Sequence, residues 1–185
     1  MNNELTDFKK AEVNITTKDI VITGLLIAMV FVSTRFISLR LPISVNGGLI
    51  HFGNAALFIA SIVFGKKKGA LAGAFGMGLF DVVSGWMAWA PFTFVIRGIM
   101  GYMVGVISNA RGKNGKSAVY NMMAILAASV WMVAGYYMTE VILYKNWFAP
   151  ITSIPGNLTQ IALGLIVGLP IATLLQRNKA LSNIL

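Results

Sequence analysis

From Asp19 to Leu175 the chain is a succession of apolar segments, each closed off by a short polar or basic cluster. Such segments lack the polar face that a helix on a soluble core turns to water, so lipid is their natural surrounding. Lipid offers no partner to a backbone N–H or C=O, and a helix satisfies both within itself. Charged residues make up 11% of the 185 positions and hydrophobic ones 57%, where a globular domain carries about 25% charge. With a mean hydropathy of +0.76, the chain reads as an all-α integral membrane protein, one domain over residues 1–185.

Six segments qualify as spans: 19–39, 50–64, 69–84, 92–108, 118–144 and 157–175. Residues 1–17 form a polar tail, and 41–50, with Pro42 and the Gly47-Gly48 pair, reads as a loop. Lys9, Lys10 and Lys18 before the run Ile20 to Val32 imitate a secretory signal. No small-x-small cleavage site follows, so the segment is read as a retained first helix. The third segment is short at about 1.5 Å per residue, and needs local thinning or neighbours that bury its ends.

Six spans put both termini on one side. Lys9, Lys10, Lys18, the triplet Lys66 to Lys68, Arg111, Lys113, Lys116, Arg177 and Lys179 then share that side, 11 of the 15 basic residues. Arg35, Arg40 and Lys145 face the other, and Arg97 lies within a span. Positive charge stays inside, so both termini and the tail 1–17 are expected in the cytoplasm. The net charge of +9 is thereby a membrane-surface property. Nucleic-acid binding would need a basic stripe with interleaved aromatics. There is no cysteine, which excludes disulfides and thiolate metal sites, and no cofactor is expected.

Depth follows from topology. His51 and Asn54, Asp81 and Ser84, Thr93 and Arg97, Tyr136 or Tyr137 with Glu140, and Asn157 and Gln160 each fall three or four residues apart near the outer end of a span. That spacing places each pair on one helix face. Trp86, Trp89, Phe92 and Trp147 are close in sequence to these ends and suit stacking on a flat ring. A charge costs roughly 2.5–3.5 kcal/mol near a span centre and less toward the interface, so Arg97 is expected to pair with Asp81 or Glu140. The inner halves read as almost wholly apolar, with no polar path across. The pattern predicts an outward pocket for a small planar solute, with 39–49 able to close over it, and a partner that supplies energy and movement.

Small residues recur at four-residue spacing: Gly24 with Ala28, Gly69 with Gly73, Ala70 with Ala74, Ala72 with Gly76, Gly101 with Gly105, and Gly164 with Gly168. Such faces let helix backbones approach closely in lipid.

The stretch IHFGNAALFIASIVFGKKKGALAGAFGMGLFDVVSGW, continued by APFTFVIRGIMGYMVG, resembles the substrate-binding (S) components of energy-coupling factor (ECF) vitamin transporters. The nearest group contains the riboflavin, pyridoxine and hydroxymethylpyrimidine proteins. The motifs, in order, are G-(D/N)-A, FG-x-K-x-GA-x-AG and D-x-x-SG. Many relatives carry an acidic residue where this chain has Asn54. The resemblance implies a vitamin-capturing subunit in a bacterial plasma membrane, joined to a transmembrane coupling (T) protein and two cytoplasmic ATPases. It also implies that Gly24 and Ala28 face the coupling protein. The substrate-binding residues expected are His51, Asn54, Asp81, Ser84, Trp89, Arg97, Tyr136, Glu140, Asn157 and Gln160. A pyridoxine- or hydroxymethylpyrimidine-sized ring suits them, with riboflavin as the alternative. No Walker A sequence is present, Gly112 to Ser117 being too short for one, so ATP hydrolysis is assigned to partners. An intramembrane enzyme using His51, Asp81 and Glu140 is the competing class, but no HExxH or serine–histidine signature accompanies them.

Overall fold

Gly65 determines how the first half of the chain folds. The computed structural model describes residues 15–40 and 49–178. Within it, the helical run α2 (Gly53–Val83) is interrupted at Gly65, whose φ of 84° and ψ of 177° are not helical. Only a residue without Cβ adopts that backbone readily. The chain reverses there, and arms 53–64 and 66–83 pack antiparallel. A Cβ on Gly69 would lie 2.6 Å from Ser61 Cα, one on Gly73 2.7 Å from Leu57 Cδ1, and one on Gly53 2.8 Å from Met77 Cε. Lys66, Lys67 and Lys68 are therefore the first turn of the second arm, not the loop expected of them, because a single glycine makes the turn.

The other elements assemble around this hairpin. Helix α1 (Thr17–Phe36) begins with a capping box in which Thr16 and Asp19 satisfy each other's end groups, and Asp19 also meets Lys68 Nζ at 2.8 Å. A Cβ on Gly76 would sit 2.8 Å from Val30 of α1. Strands β1 (Ser38–Arg40) and β2 (Leu49–His51) pair antiparallel, Ser38 opposite His51; this hairpin was not expected, since three-residue strands leave little alternation to read. Helix α3 (Ala90–Ser108) lies on the second arm of α2 through glycines. A Cβ on Gly101 would be 2.7 Å from the Gly69 carbonyl carbon, and one on Gly105 2.5 Å from Lys66 N. Helix α4 (Ala118–Tyr144), with the bounds expected, packs on α3, where Trp131 Nε1 donates to Ile96 O at 3.0 Å.

The last span is one helical run in several geometries. A 3₁₀ turn (Ala149–Ser153) leads into α5 (Ile154–Leu163), a π-helical segment (Gly164–Gly168) and α6 (Leu169–Arg177). Pro170 has no N–H to give the carbonyl one turn back, and a π segment is a common response to such a gap. Gly164 and Gly168 press on the first arm of α2, at Phe58 and Ala55.

The core holds Leu57, Phe58, Ile62, Met77, Met100, Ile125 and Met132, all buried, while Leu25, Val130 and Ile166 are 66%, 71% and 70% exposed. Apolar side chains on the outside mark a lipid-facing surface. Among the described residues, α1, α3, α4 and 149–177 are four helices long and apolar enough to cross a membrane. The end of the bundle around the Gly65 turn, read from the sequence as the inner one, holds more polar groups than expected: Ser61, Ser108, Asn121 and Gln176 are buried. Gln176 Nε2 donates to Ile62 O (2.9 Å) and Val63 O (3.2 Å), carbonyls in the last turn before the break at Gly65. These groups serve the chain's own backbone rather than a path across it. The tail 1–14, the basic positions Lys9, Lys10 and Lys179, and the Gly47-Gly48 pair with most of segment 39–49 lie outside the described residues.

Candidate functional site

Arg97 is the centre of the polar cluster. It projects from the middle of α3, only 3% exposed, and its carbonyl lies against Gly73, where a Cβ would be 2.6 Å from it. That close approach of α3 to α2 sets the guanidinium between α2, α4 and α5. Nη1 donates to Asn54 Oδ1 in a short contact and to Met132 Sδ at 3.0 Å, with Met100 Sδ at 3.5 Å. Nε donates to Tyr136 Oη at 3.0 Å, and Nη2 to Gln160 Oε1 at 3.3 Å. The Tyr136 ring also lies beneath the cation, 5.1 Å from centroid to Cζ. Tyr136 Oη in turn donates to Thr93 Oγ1 at 3.1 Å, and Gln160 Nε2 to Leu49 O at 2.6 Å.

The expected pairing of Arg97 with Asp81 or Glu140 is corrected on this point: its hydrogen bonds run to neutral acceptors. A salt bridge does join Lys68 and Asp19, on the second arm of α2 and on α1. Asp81 is near enough to feel the Arg97 charge and lies beside Thr93. Glu140 Oε2 accepts from Ser153 Oγ at 2.9 Å. Burial of Arg97 is tolerated because five acceptor atoms, three oxygens and two sulfurs, replace its hydration, and charge-assisted bonds are the stronger kind.

A cavity of about 110 Å³ opens beside the cluster, lined by Leu49, His51, Phe80, Asp81, Trp86, Trp89, Thr93, Arg97, Tyr136, Glu140, Asn157 and Gln160. Eight of the ten expected binding residues line it: His51, Asp81, Trp89, Arg97, Tyr136, Glu140, Asn157 and Gln160. Asn54 is fully buried beneath Arg97 instead. Ser84 is not on the wall, and its buried Oγ has no hydrogen-bond partner among the described residues. Tyr137 and Trp147 turn away together, Tyr137 Oη donating to Trp147 O at 2.6 Å. Leu49 and Phe80 were missed; being apolar, they carry no polar signal, and only their position identifies them. His51 Nδ1 accepts the Gly53 N–H at 3.2 Å, which leaves Nε2 as the donor of a neutral imidazole. Trp86 and Trp89 meet edge to face, 5.4 Å apart at 84°. The wall thus offers cationic and neutral donors, two carboxylates and aromatic rings.

Two larger clefts lie elsewhere, about 580 Å³ between α4 and α5 and about 790 Å³ between α1 and the turn at Gly65. The first is almost entirely apolar and open along the helices, as expected of a surface that lipid fills. The second contains Gly24 and Lys66 to Lys68. Gly24 and Ala28 are both exposed on α1, and a Cβ on Gly24 would meet nothing within 4 Å. That face is therefore not consumed by internal packing, unlike Gly69, Gly73, Gly76, Gly101, Gly105, Gly164 and Gly168.

A protein of Pyrococcus woesei, described as an uncharacterized protein in the gap 3′ region, is 30% identical over 129 residues, 70% of this chain and 83% of its own length. The thiamine precursor transporter HmpT of Lactococcus lactis subsp. cremoris (strain MG1363) is 24% identical over 170 residues, 92% of this chain and 95% of its own length. The family model described as ECF-type riboflavin transporter, S component, matches residues 14–177. The family description and the name of HmpT denote a transporter, not an enzyme. The chain belongs to the ECF-type riboflavin transporter S component family.

Proposed function

We propose that this chain captures hydroxymethylpyrimidine, or a closely similar single-ring vitamin precursor, at the outer face of the cell membrane for ATP-driven uptake. The observation that carries the reading is one cavity whose lining brings Arg97, Asp81 and Glu140 together with Trp86 and Trp89. Donors and acceptors in one lining suit an amino- and hydroxymethyl-substituted heteroaromatic ring, and Trp86 and Trp89 offer aromatic surface for it. The volume of about 110 Å³ is nearer the roughly 150 Å³ of a cavity that accepts one benzene ring than the roughly 300 Å³ where drug-sized sites begin. HmpT, matched over nearly its whole length, is named for a thiamine precursor. Pyridoxine has the right size, but neither relative carries its name. Riboflavin is the second reading, favoured by the description of the matching family; its three fused rings need a larger space.

The proposed topology counts each arm of α2 as a crossing and 149–177 as one more. This makes six with α1, α3 and α4, and puts both termini in the cytoplasm with 11 of the 15 basic residues. A transmembrane coupling subunit would dock on the exposed Gly24–Ala28 face, and two ATPase subunits would supply the energy. Titration of the purified chain by intrinsic tryptophan fluorescence tests the capture reading, since Trp86 and Trp89 line the cavity. Saturable quenching by hydroxymethylpyrimidine is expected; no response to it, to pyridoxine, to riboflavin or to thiamine would sink the proposal.

A further inference from the structure

The Arg97 guanidinium has five N–H donors. Nε–H goes to Tyr136, the two on Nη1 go to Asn54 and to methionine sulfur, and one on Nη2 goes to Gln160. Among the described residues the second Nη2–H has no acceptor, although the side chain is 97% buried, its exposure being 3%, and lines the cavity. A buried donor in that condition is costly unless a ligand or water completes it. What holds the group in this pose from below is Asn54, itself fully buried, packed beside Gly164 and uncharged.

We propose that Asn54 is a positioning residue for substrate specificity: its neutral amide orients Arg97 without neutralising it, so that one cationic N–H is presented to a hydrogen-bond acceptor on the ring of the bound solute. The charge of the anchor decides this. An aspartate at the same place would hold the guanidinium equally well but would cancel most of its field on the ligand, because opposite charges in contact in a low-dielectric site act on distant groups mainly as a dipole. With asparagine the field reaches the cavity, whose lining also carries Asp81 and Glu140. The preferred solute is then a ring with an unprotonated acceptor nitrogen toward Arg97 and amino or hydroxyl donors toward the two carboxylates.

The inference rests on the single-ring reading above, and a ratio of affinities tests it separately. Two ligands are titrated into the full chain: hydroxymethylpyrimidine, and the benzene isostere that keeps its amino, methyl and hydroxymethyl groups but has no ring nitrogen. The wild-type chain is expected to prefer the pyrimidine by at least about tenfold, as a lost charge-assisted bond implies. In Asn54→Asp the preference should shrink by at least about fivefold, because the anchor now neutralises the donor; Asn54→Ala, which removes the anchor, should lower it as well. Asn54→Ser, a shorter neutral acceptor, should retain most of it. A generic packing defect would weaken both ligands alike and leave the ratio unchanged. A wild-type ratio near one, or an unchanged ratio in whichever of the Asp and Ala variants folds, overturns the role of Asn54. Failure of the wild type to bind either ring removes the single-ring reading itself.

Discussion

Replacing Gly164 by alanine tests whether packing beneath the site controls the site. The added Cβ would stand 2.6 Å from Phe58 Cε2 and 2.9 Å from Asn54 Cβ, where carbon atoms rest about 3.5–4.0 Å apart. Phe58 and Asn54 are both 0% exposed, so neither has room to swing aside. The helical run 149–177 must instead back away by about 1 Å to restore ordinary contact. Overpacking of this kind costs about 1–3 kcal/mol, a fall of about 2–12 °C in thermal midpoint for a chain of this size. Gln160 lies four residues before Gly164 and moves with it, stretching its 3.3 Å bond to Arg97 beyond hydrogen-bond range. Losing a bond to a charged group should weaken ligand binding about tenfold. Thermal unfolding in detergent and ligand titration read the two effects. Gly24→Ala is the control: nothing lies within 4 Å of its Cβ, and alanine is the better helix former by about 1 kcal/mol. An unchanged midpoint and affinity in Gly164→Ala, or an equal loss in Gly24→Ala, would refute the reasoning.

Gln176→Leu strands the carbonyls of Ile62 and Val63 and should cost about 1–3 kcal/mol of stability, read as a lower thermal midpoint with ligand affinity kept. Gly65→Ala forces a Cβ into a backbone of φ 84° and ψ 177°; a penalty of about 1–3 kcal/mol is expected, visible as lower yield and earlier unfolding, and an unaffected variant would mean that another residue makes the turn. Gly24→Leu and Ala28→Leu should impair uptake and co-purification of the coupling subunits while isolated binding survives. Lost binding in the isolated chain would show that this face packs internally.

Polar residues three or four apart stand out in apolar spans, and helix geometry then puts each pair on one face. For that reason Asp81, Arg97, Tyr136, Glu140 and Gln160 were legible as a group. Tyr137 and Ser84 satisfy the same spacing rule, yet the structure leaves both off the cavity wall. Spacing along one helix says nothing about that helix's rotation against its neighbours. The glycine pairs were legible as packing faces for the same local reason, and their partners were not. Nothing in sequence matches Gly101 with Gly69, or Gly164 with Phe58.

The sequence by itself determined that the chain is helical and lives in lipid, where its helices run, which end of each is polar, and which family it resembles. Those properties depend on hydropathy, helix periodicity and local motifs, all written within one segment. Only the tertiary structure decided that Gly65 turns the chain in a single residue, that Gln176 caps the broken arm, and that Arg97 rests on Asn54, Tyr136 and Gln160 rather than on a carboxylate. Each of these depends on the depth and rotation at which distant helices meet. Close packing of small residues settles both across the whole bundle at once, so they cannot be read from any one segment.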